Sequence, residues 1–210
     1  MDTIAEDLAI KTADGTMTGF AYHPSDDDPH PTVIVIQEIF GVDNHIKDVA
    51  RRFAAEGYYA VAPDLFYREG AGLSVPYEER EEAFRLRATT TPEGITADLN
   101  ALISHLKGEN GANDSIGIVG YCFGGGVVYL ASHAVSGIQA AAIYYGGGIV
   151  PRDDAPSGTP SGLDQAANVA CPVIGFFGEP FQGLVVRVWL CPSISKITSE
   201  SPSIGMSSTR

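Results

Sequence analysis

The chain has 210 residues, with 44% hydrophobic and 19% charged residues, which suits one globular domain with a sizeable core. A formal net charge of −13 argues against nucleic acid and anionic membrane surfaces as partners. No apolar run approaches the roughly 18 residues of a membrane span, and the acidic first seven residues lack the basic segment of a secretory signal.

The three cysteines, Cys122, Cys171 and Cys191, are an odd number at wide spacing. This pattern favours neither a disulfide framework nor a zinc site, so we expect no metal. A reducing cytoplasm is the simplest location, and it would keep a nucleophilic thiol usable.

The first half of the chain alternates strand and helix patterns. Strands are predicted at 4–11 and 17–23 around the turn Asp14-Gly15, and a continuous apolar run at 32–36 predicts a strand buried on both faces. A helix is predicted at 43–56, a strand at 58–62 and an irregular connection at 65–76. A charged helix at 77–88 and a helix opened by Thr91-Pro92-Glu93 follow.

The second half continues the alternation. A strand at 115–120 leads into a helix ending near residue 134, and strands follow at 140–145 and 172–177 with a long loop at 150–168 between them. This order predicts an α/β protein with a mostly parallel sheet and right-handed crossovers. Reactive groups gather at the carboxyl ends of such strands, where the sequence places Glu38, Cys122, Tyr144, Tyr145 and Glu179.

The segment Gly120-Tyr121-Cys122-Phe123-Gly124 has the Gly-x-Cys-x-Gly pattern of a nucleophile elbow with cysteine in place of serine. A turn this tight strains the backbone of the nucleophile and leaves no room for a β-carbon two positions away on either side. The N–H groups of the following helix would favour thiolate over thiol. The alternative is a buried cysteine in a glycine-rich packing joint.

Several segments together resemble the dienelactone hydrolase family of the α/β-hydrolase fold. They are Gln37-Glu38-Ile39-Phe40-Gly41, Ala62-Pro63-Asp64-Leu65, Gly120-Tyr121-Cys122-Phe123-Gly124-Gly125, Tyr144-Tyr145-Gly146 and the strand before Glu179. They occur in the family order over residues 4–179, and only the combination is specific. The resemblance implies helices on both faces of the sheet and hydrolysis of small esters or lactones, dienelactones included, without a cofactor.

The resemblance also implies a role for individual residues. Cys122 would attack the carbonyl carbon, and Glu38 would hold the resting thiol until substrate displaces it. The backbone N–H groups of Ile39 and Phe123 would form the oxyanion hole, where each donor is typically worth roughly a few kcal/mol. The alternative for Glu38 is a salt-bridged structural residue.

Two further residues are expected to meet the substrate. Arg80 aligns with an arginine that binds the substrate carboxylate, although Phe84 stands where the family has an assisting tyrosine, and Tyr144 would line the pocket. The alternatives are an exposed helix face for Arg80, which lies among glutamates, and simple packing for Tyr144. The expected partner is a small-molecule substrate, and the default assembly is a monomer.

The resemblance stops near residue 179, which divides the chain into a hydrolase-like domain at 1–179 and a non-matching tail at 180–210. The family acid belongs two residues after Glu179, where this chain has Phe181, and no histidine follows His133. We interpret the change in composition as a shifted reading frame, with a divergent tail as the alternative. The chain as written is expected to be poorly active. The competing hypothesis is a non-catalytic binding protein of the same fold.

Overall fold

A computed structural model describes residues 2–150, 161–179 and 183–189, with Glu179 and 183–189 described by their backbone alone. These residues form eight strands, four α-helices and one 3-10 helix. The strands are β1 Thr3–Thr12, β2 Gly15–Pro24, β3 His30–Ile36, β4 Tyr59–Pro63, β5 Ala112–Tyr121, β6 Ile138–Tyr144, β7 Val173–Glu179 and β8 Gly183–Trp189. The helices are α1 Asn44–Ala55, α2 Arg80–Ala88, α3 Pro92–Leu106, α4 Phe123–Ala134 and the 3-10 helix Gly162–Asn168.

All eight strands belong to one sheet with the order β1-β2-β4-β3-β5-β6-β7-β8. The five neighbouring strands β4, β3, β5, β6 and β7 run parallel to one another, whereas β1, β2 and β8 pair antiparallel with their neighbours. Parallel neighbours need long crossovers, which here contain helices. The predicted mostly parallel α/β sheet is therefore confirmed.

Alternating side chains of β3 contribute to two separate cores, one on each face of the sheet. Ile34 and Ile36 pack in a cluster with Leu99 of α3 and Val127 and Val128 of α4. Val33 and Val35 point the other way, into a cluster that contains Ile46, Val49 and Ala50 of α1. A fully buried side chain of this size contributes about 1.5–3 kcal/mol. The prediction of helices on both faces is thus confirmed.

Helices α1 and α3 begin where their capping residues predict. The Asp43 side chain accepts a hydrogen bond from the Ile46 N–H at 2.9 Å, and the Thr91 side chain accepts one from the Gly94 N–H at 3.0 Å. Each bond satisfies an N–H group that has no acceptor within the helix. The Asp43 cap fixes the start of α1 shortly after the turn that carries Glu38.

Helix α2 begins at Arg80 rather than at residue 77. Tyr77 is used in a tertiary contact instead, since its hydroxyl donates to Asp43 Oδ2 at 3.0 Å and its ring meets the Phe40 ring edge-on at 4.5 Å. The charge pattern of the sequence could not indicate this contact. It holds the segment before α2 against the turn after β3.

One further predicted region differs from the structure, and another lies mostly outside the described residues. The predicted loop at 150–168 contains a 3-10 helix over Gly162–Asn168, and its residues 151–160 lie outside the described residues. Most of the tail predicted at 180–210 also lies outside them. Its described part, β8, pairs antiparallel with β7, from Val173 opposite Trp189 to Glu179 opposite Gly183.

A fully buried carboxyl group organises the connection after β4. Asp64 accepts hydrogen bonds from the N–H groups of Phe66 at 3.0 Å and Gly72 at 2.7 Å. Burial raises the pKa of Asp64, and these two hydrogen bonds oppose the rise only in part. The connection is thereby folded back onto the sheet, and Val75 reaches the turn after β3 by donating its N–H to the Phe40 carbonyl at 2.9 Å.

The same connection is attached to the rest of the domain through Arg68. Its guanidinium donates to both oxygens of the buried Asp98 of α3, at 2.7 and 3.0 Å, and to Asp14 of the first hairpin at 2.7 Å. Tyr67 donates a further hydrogen bond to Asp98 at 3.0 Å. A buried carboxylate with this many donors is satisfied, so the cluster joins hairpin, connection and helix.

Candidate active site

Cys122 lies at a sharp bend between β5 and α4, with φ 54° and ψ −115°. This backbone conformation is sparsely populated by residues other than glycine. Its N–H donates to the Tyr144 carbonyl at 3.0 Å, and its carbonyl accepts from Gly125 at 3.1 Å and Gly147 at 3.0 Å. These hydrogen bonds to the end of β6 and to the first turn of α4 hold the bend in place.

The glycines on either side of Cys122 are required by close backbone contacts. A β-carbon added to Gly120 would lie 2.3 Å from the Gly124 carbonyl oxygen. One added to Gly124 would lie 2.5 Å from the Gln37 carbonyl oxygen and 2.7 Å from that of Ile36. The steric argument for the Gly-x-Cys-x-Gly pattern agrees with these distances, and α4 packs directly against the end of β3.

The Cys122 side chain is partly exposed, and burial raises the pKa of its thiol above the ordinary value. A hydrogen bond from the Phe123 N–H lowers the pKa, as expected at a helix N-terminus, and the Glu38 charge raises it. The positive charges of Arg80 and Arg87 lower it further. Because burial is the largest effect, the pKa of Cys122 is raised overall, although the N–H group at the start of α4 acts in the direction that the sequence predicts.

Glu38 follows β3 in a tight turn closed by a bridge to Gly41. Burial raises the pKa of its carboxyl group, and the charge of Asp43 adds to the rise. The Tyr145 hydroxyl, which donates to Glu38 Oε1 across 3.5 Å, and the nearby His45 both act to lower the pKa. Glu38 is therefore a half-buried acid whose charge is felt at the Cys122 sulfur.

Ile39 and Phe123 occupy equivalent places after two neighbouring parallel strands. Ile36 of β3 pairs with Gly120 of β5, so the turn containing Ile39 and the first turn of α4 lie side by side. Phe123 is the first residue of α4, where an N–H has no acceptor within the helix. The Ile39 N–H likewise donates no hydrogen bond within the described parts of the chain.

Arg80 is exposed at the start of α2, and its charge acts on Cys122. The Tyr144 ring stacks between the rings of Tyr121 at 4.9 Å and Phe176 at 4.4 Å. It is the neighbouring Tyr145, at φ 41°, that reaches Glu38. The structure thus brings Cys122, Glu38 and Tyr145 together and leaves Tyr144 in an aromatic row.

Sequence reasoning missed two members of this site. The sequence places Tyr145 among the side chains at strand ends without giving it a role, and it gives Arg87 no role. The available signals were the position of Tyr145 at a strand end before three glycines and the seven-residue spacing of the two arginines.

Other chemistry is limited in the described residues. They contain no group of three or more His, Cys, Asp or Glu side chains placed to hold a metal ion. Among the same residues no helix is long and apolar enough to cross a membrane. His45 is exposed near Glu38, with its ring 6.3 Å from that of Tyr121.

A strained residue between a parallel strand and a helix, at the carboxyl edge of an eight-stranded mixed sheet, defines the α/β-hydrolase class. Within that class the chain belongs to the dienelactone hydrolase family, whose sequence model matches residues 17–181.

Individual relatives agree with this assignment. A Methylorubrum extorquens protein, provisionally named a carboxymethylenebutenolidase, is 33% identical over 184 residues, covering 87% of this chain and 62% of that protein. The carboxymethylenebutenolidase of Pseudomonas putida is 32% identical over 149 residues, covering 70% of this chain and 63% of its own length. The chain therefore spans less than two thirds of the length of these relatives.

A solved structure has the same fold and similar sequence. The crystal structure provisionally identified as a dienelactone hydrolase from Klebsiella pneumoniae has a TM-score of 0.71 and 30% identity, covering 83% of this chain and 72% of that one.

Proposed function

We propose that this chain is a hydrolase of small esters or lactones in which Cys122 is the nucleophile. The observation that carries the proposal is the strained position of Cys122 at the carboxyl edge of the sheet, with its partly exposed thiol beside the Glu38 carboxyl group. Strained backbone at such a place is typical of functional sites. The names of the relatives support the same substrate class.

The chemistry would proceed through a thioester. The Cys122 thiolate attacks the carbonyl carbon, the bond to the alcohol oxygen breaks, and that oxygen takes up a proton. The N–H groups of Ile39 and Phe123 would stabilise the negative oxygen of the tetrahedral intermediate. Water then attacks the thioester, which releases the acid and restores the thiol.

Glu38 would control when the thiolate forms. Its negative charge disfavours a second negative charge on the sulfur, which adds to the rise that burial causes in the pKa of Cys122. Movement of the carboxylate away from Cys122 would remove this repulsion. A substrate that enters between Glu38 and Cys122 could drive that movement, and Arg80 would bind its carboxylate.

The turnover of the 210-residue chain is proposed to be slow. Its residues after His133 include no histidine, and Phe181 stands where the family acid is expected. A thiol whose pKa is raised forms little thiolate at neutral pH unless a histidine accepts its proton. The thioester would also lack a base to activate water, so acylation should outpace hydrolysis.

The missing histidine also favours a second candidate, a non-catalytic binding protein with the same pocket. Both candidates act on a small molecule, and a monomer in the reducing cytoplasm suits either. The free thiol at the site is compatible with that compartment.

The experiment that separates these candidates is a stopped-flow assay of the purified chain with p-nitrophenyl acetate, with Cys122→Ala as the blank. A burst of p-nitrophenolate close to one equivalent, followed by slow turnover, with both lost in Cys122→Ala, supports the impaired hydrolase. Acylation without turnover favours the binding protein. Turnover that persists in Cys122→Ala overturns the nucleophile, and fast turnover in the wild type overturns the impairment.

A further inference from the structure

Tyr145 has a backbone conformation that packing does not explain. Its φ of 41° lies in the left-handed region, which a residue with a β-carbon rarely adopts. The residue is also 50% exposed, so burial of its ring contributes little that would offset the strain. Three glycines follow directly, yet the strained position itself holds a tyrosine. Strained residues of this kind cluster at functional sites.

The neighbouring backbone holds Tyr145 in this conformation. Its N–H donates to the Phe176 carbonyl of β7 at 2.7 Å. The next residue, Gly146, lies directly against the first turn of α4, because a β-carbon added to Gly125 would be 2.6 Å from the Gly146 Cα atom. The segment is therefore fixed to β7 on one side of Tyr145 and to α4 on the other.

The strain decides where the Tyr145 ring points. Consecutive side chains of an extended strand point to opposite faces of the sheet. Tyr144 and Tyr145 nevertheless both approach Tyr121, and their ring centroids lie 4.9 and 6.3 Å from that of Tyr121. The positive φ thus brings the Tyr145 ring to the same side as Tyr144, where its hydroxyl meets Glu38.

The Glu38 carboxyl group has one side-chain donor in the described part of the chain, the Tyr145 hydroxyl at 3.5 Å. The nearby Tyr77 hydroxyl donates to Asp43 at 3.0 Å instead. Among the same described residues no hydrogen bond joins Glu38 to Cys122, whose sulfur is affected by Glu38 only through its charge. The carboxylate is therefore held at Tyr145 and not at the thiol.

We propose that Tyr145 is a positioning residue that keeps the Glu38 carboxylate from accepting a hydrogen bond from the Cys122 thiol. The inference deepens the proposed function and rests on Cys122 being the nucleophile. A thiol that donates to a carboxylate keeps its proton, because the hydrogen bond stabilises the neutral form of the sulfur. With the carboxylate held by the tyrosine, the thiol loses its proton more readily. Tyr145 acts through Glu38 and does not touch the reacting atoms.

The test measures the pKa of the Cys122 thiol from the pH dependence of its modification by iodoacetamide, followed by peptide mass spectrometry. The reagent forms a carbon–sulfur bond and releases iodide, so the measurement requires no hydrolysis. Tyr145→Phe removes only the hydroxyl and should raise the pKa of Cys122 by about half a unit or more, since the released carboxylate can accept from the thiol. Below the pKa, modification should slow by about threefold or more.

The matched control is Tyr129→Phe, which removes a hydroxyl that donates to the Gly162 carbonyl at 2.9 Å. It also loses a tertiary hydrogen bond of a tyrosine, and it should shift the pKa of Cys122 by less than about 0.2 unit. An equal shift in Tyr129→Phe and Tyr145→Phe would mean that the thiol responds to a general loss of packing, and it would overturn the proposal.

Glu38→Gln decides whether Tyr145 acts through the carboxylate. In that background Tyr145→Phe should change the pKa of Cys122 by less than about 0.2 unit, because a neutral amide stabilises the thiol far less than a carboxylate does. The same shift with and without the Glu38 charge would show a direct effect of Tyr145 on the sulfur and would overturn the proposal. It is also overturned if Tyr145→Phe leaves the pKa unchanged or lowers it.

Acylation by p-nitrophenyl acetate then separates this proposal from the hydrolase itself. At pH 7 the burst rate of Tyr145→Phe should fall by the same factor as the alkylation rate, because both reactions need the thiolate. A slower burst with an unchanged alkylation profile overturns the role of Tyr145 through Glu38. If the alkylation profiles follow the prediction but neither the wild type nor Tyr145→Phe is acylated, the positioning of Glu38 stands and the hydrolase proposal fails.

Discussion

The strained backbone of Cys122 makes a quantitative prediction about stability that is independent of any activity. Residue 122 has φ 54° and ψ −115°, a conformation that costs a residue with a β-carbon about 1–3 kcal/mol. Glycine avoids this cost but loses about 0.5–1 kcal/mol more backbone entropy on folding than alanine does. The variant Cys122→Gly should therefore be more stable than Cys122→Ala by up to about 2 kcal/mol.

The matched control is Ala97→Gly, at an exposed position within α3. There the same change from alanine to glycine should cost about 1 kcal/mol, because the helix gains nothing from the added freedom. Urea unfolding of Cys122→Gly, Cys122→Ala, Ala97→Gly and the wild type gives both differences in the free energy of unfolding. In a domain of this size each kcal/mol corresponds to roughly 2–4 °C in Tm.

The change from alanine to glycine should thus raise the free energy of unfolding at residue 122 and lower it at residue 97. If glycine lowered the free energy of unfolding at residue 122 as much as it does at residue 97, the bend would carry no strain. The reasoning behind the elbow would then be refuted.

Three further predictions concern charged groups. Glu38→Gln removes a charge that raises the pKa of Cys122, so iodoacetamide should modify Cys122 at a lower pH than in the wild type. An unchanged pH profile of modification would contradict the electrostatic effect of Glu38 on Cys122. Asp98→Ala removes the buried acceptor of Tyr67 and Arg68 and should lower the free energy of unfolding by about 1–3 kcal/mol, whereas Asp14→Ala, at the exposed end of the same cluster, should cost under about 1 kcal/mol in urea unfolding. Burial raises the pKa of Asp64, so the folded state holds its proton more tightly than the unfolded state, and this group destabilises the fold as pH rises above the unfolded value near 3.8. The stability of Asp64→Asn relative to wild type should accordingly increase from pH 4 to pH 7, and a constant difference would exclude an effect of the buried charge.

The sequence predicted the elbow because its signal is steric and local. Gly120 and Gly124 are needed at fixed positions around Cys122 whatever the rest of the domain does, and the clearances of 2.3 and 2.5 Å show why. The meeting of Glu38 with this bend was also predictable, since parallel strands end at the same edge of a sheet.

Other parts of the site depend on contacts between distant segments. Which of two consecutive tyrosines faces Glu38 is decided by the backbone of Tyr145 at φ 41°, for which Tyr144-Tyr145 carries no signature. The pKa of Cys122 depends on how deeply the thiol is buried, a property of the whole fold that outweighs the local effect of the helix. The place of Arg87 depends on how α2 docks, which its charge pattern does not specify.

The pairing of β3 with β5 has a consequence for how the protein is made. Thr32 lies opposite Ile116, and about 80 intervening residues must be spanned before these strands can meet. The hairpin of β1 and β2 and the helix α1 involve near neighbours and can form early, whereas this pairing is slow to close. Glu38 and Cys122 can therefore come together only after the ribosome has released the chain past β5, so a nascent chain carries the acid long before it carries the site.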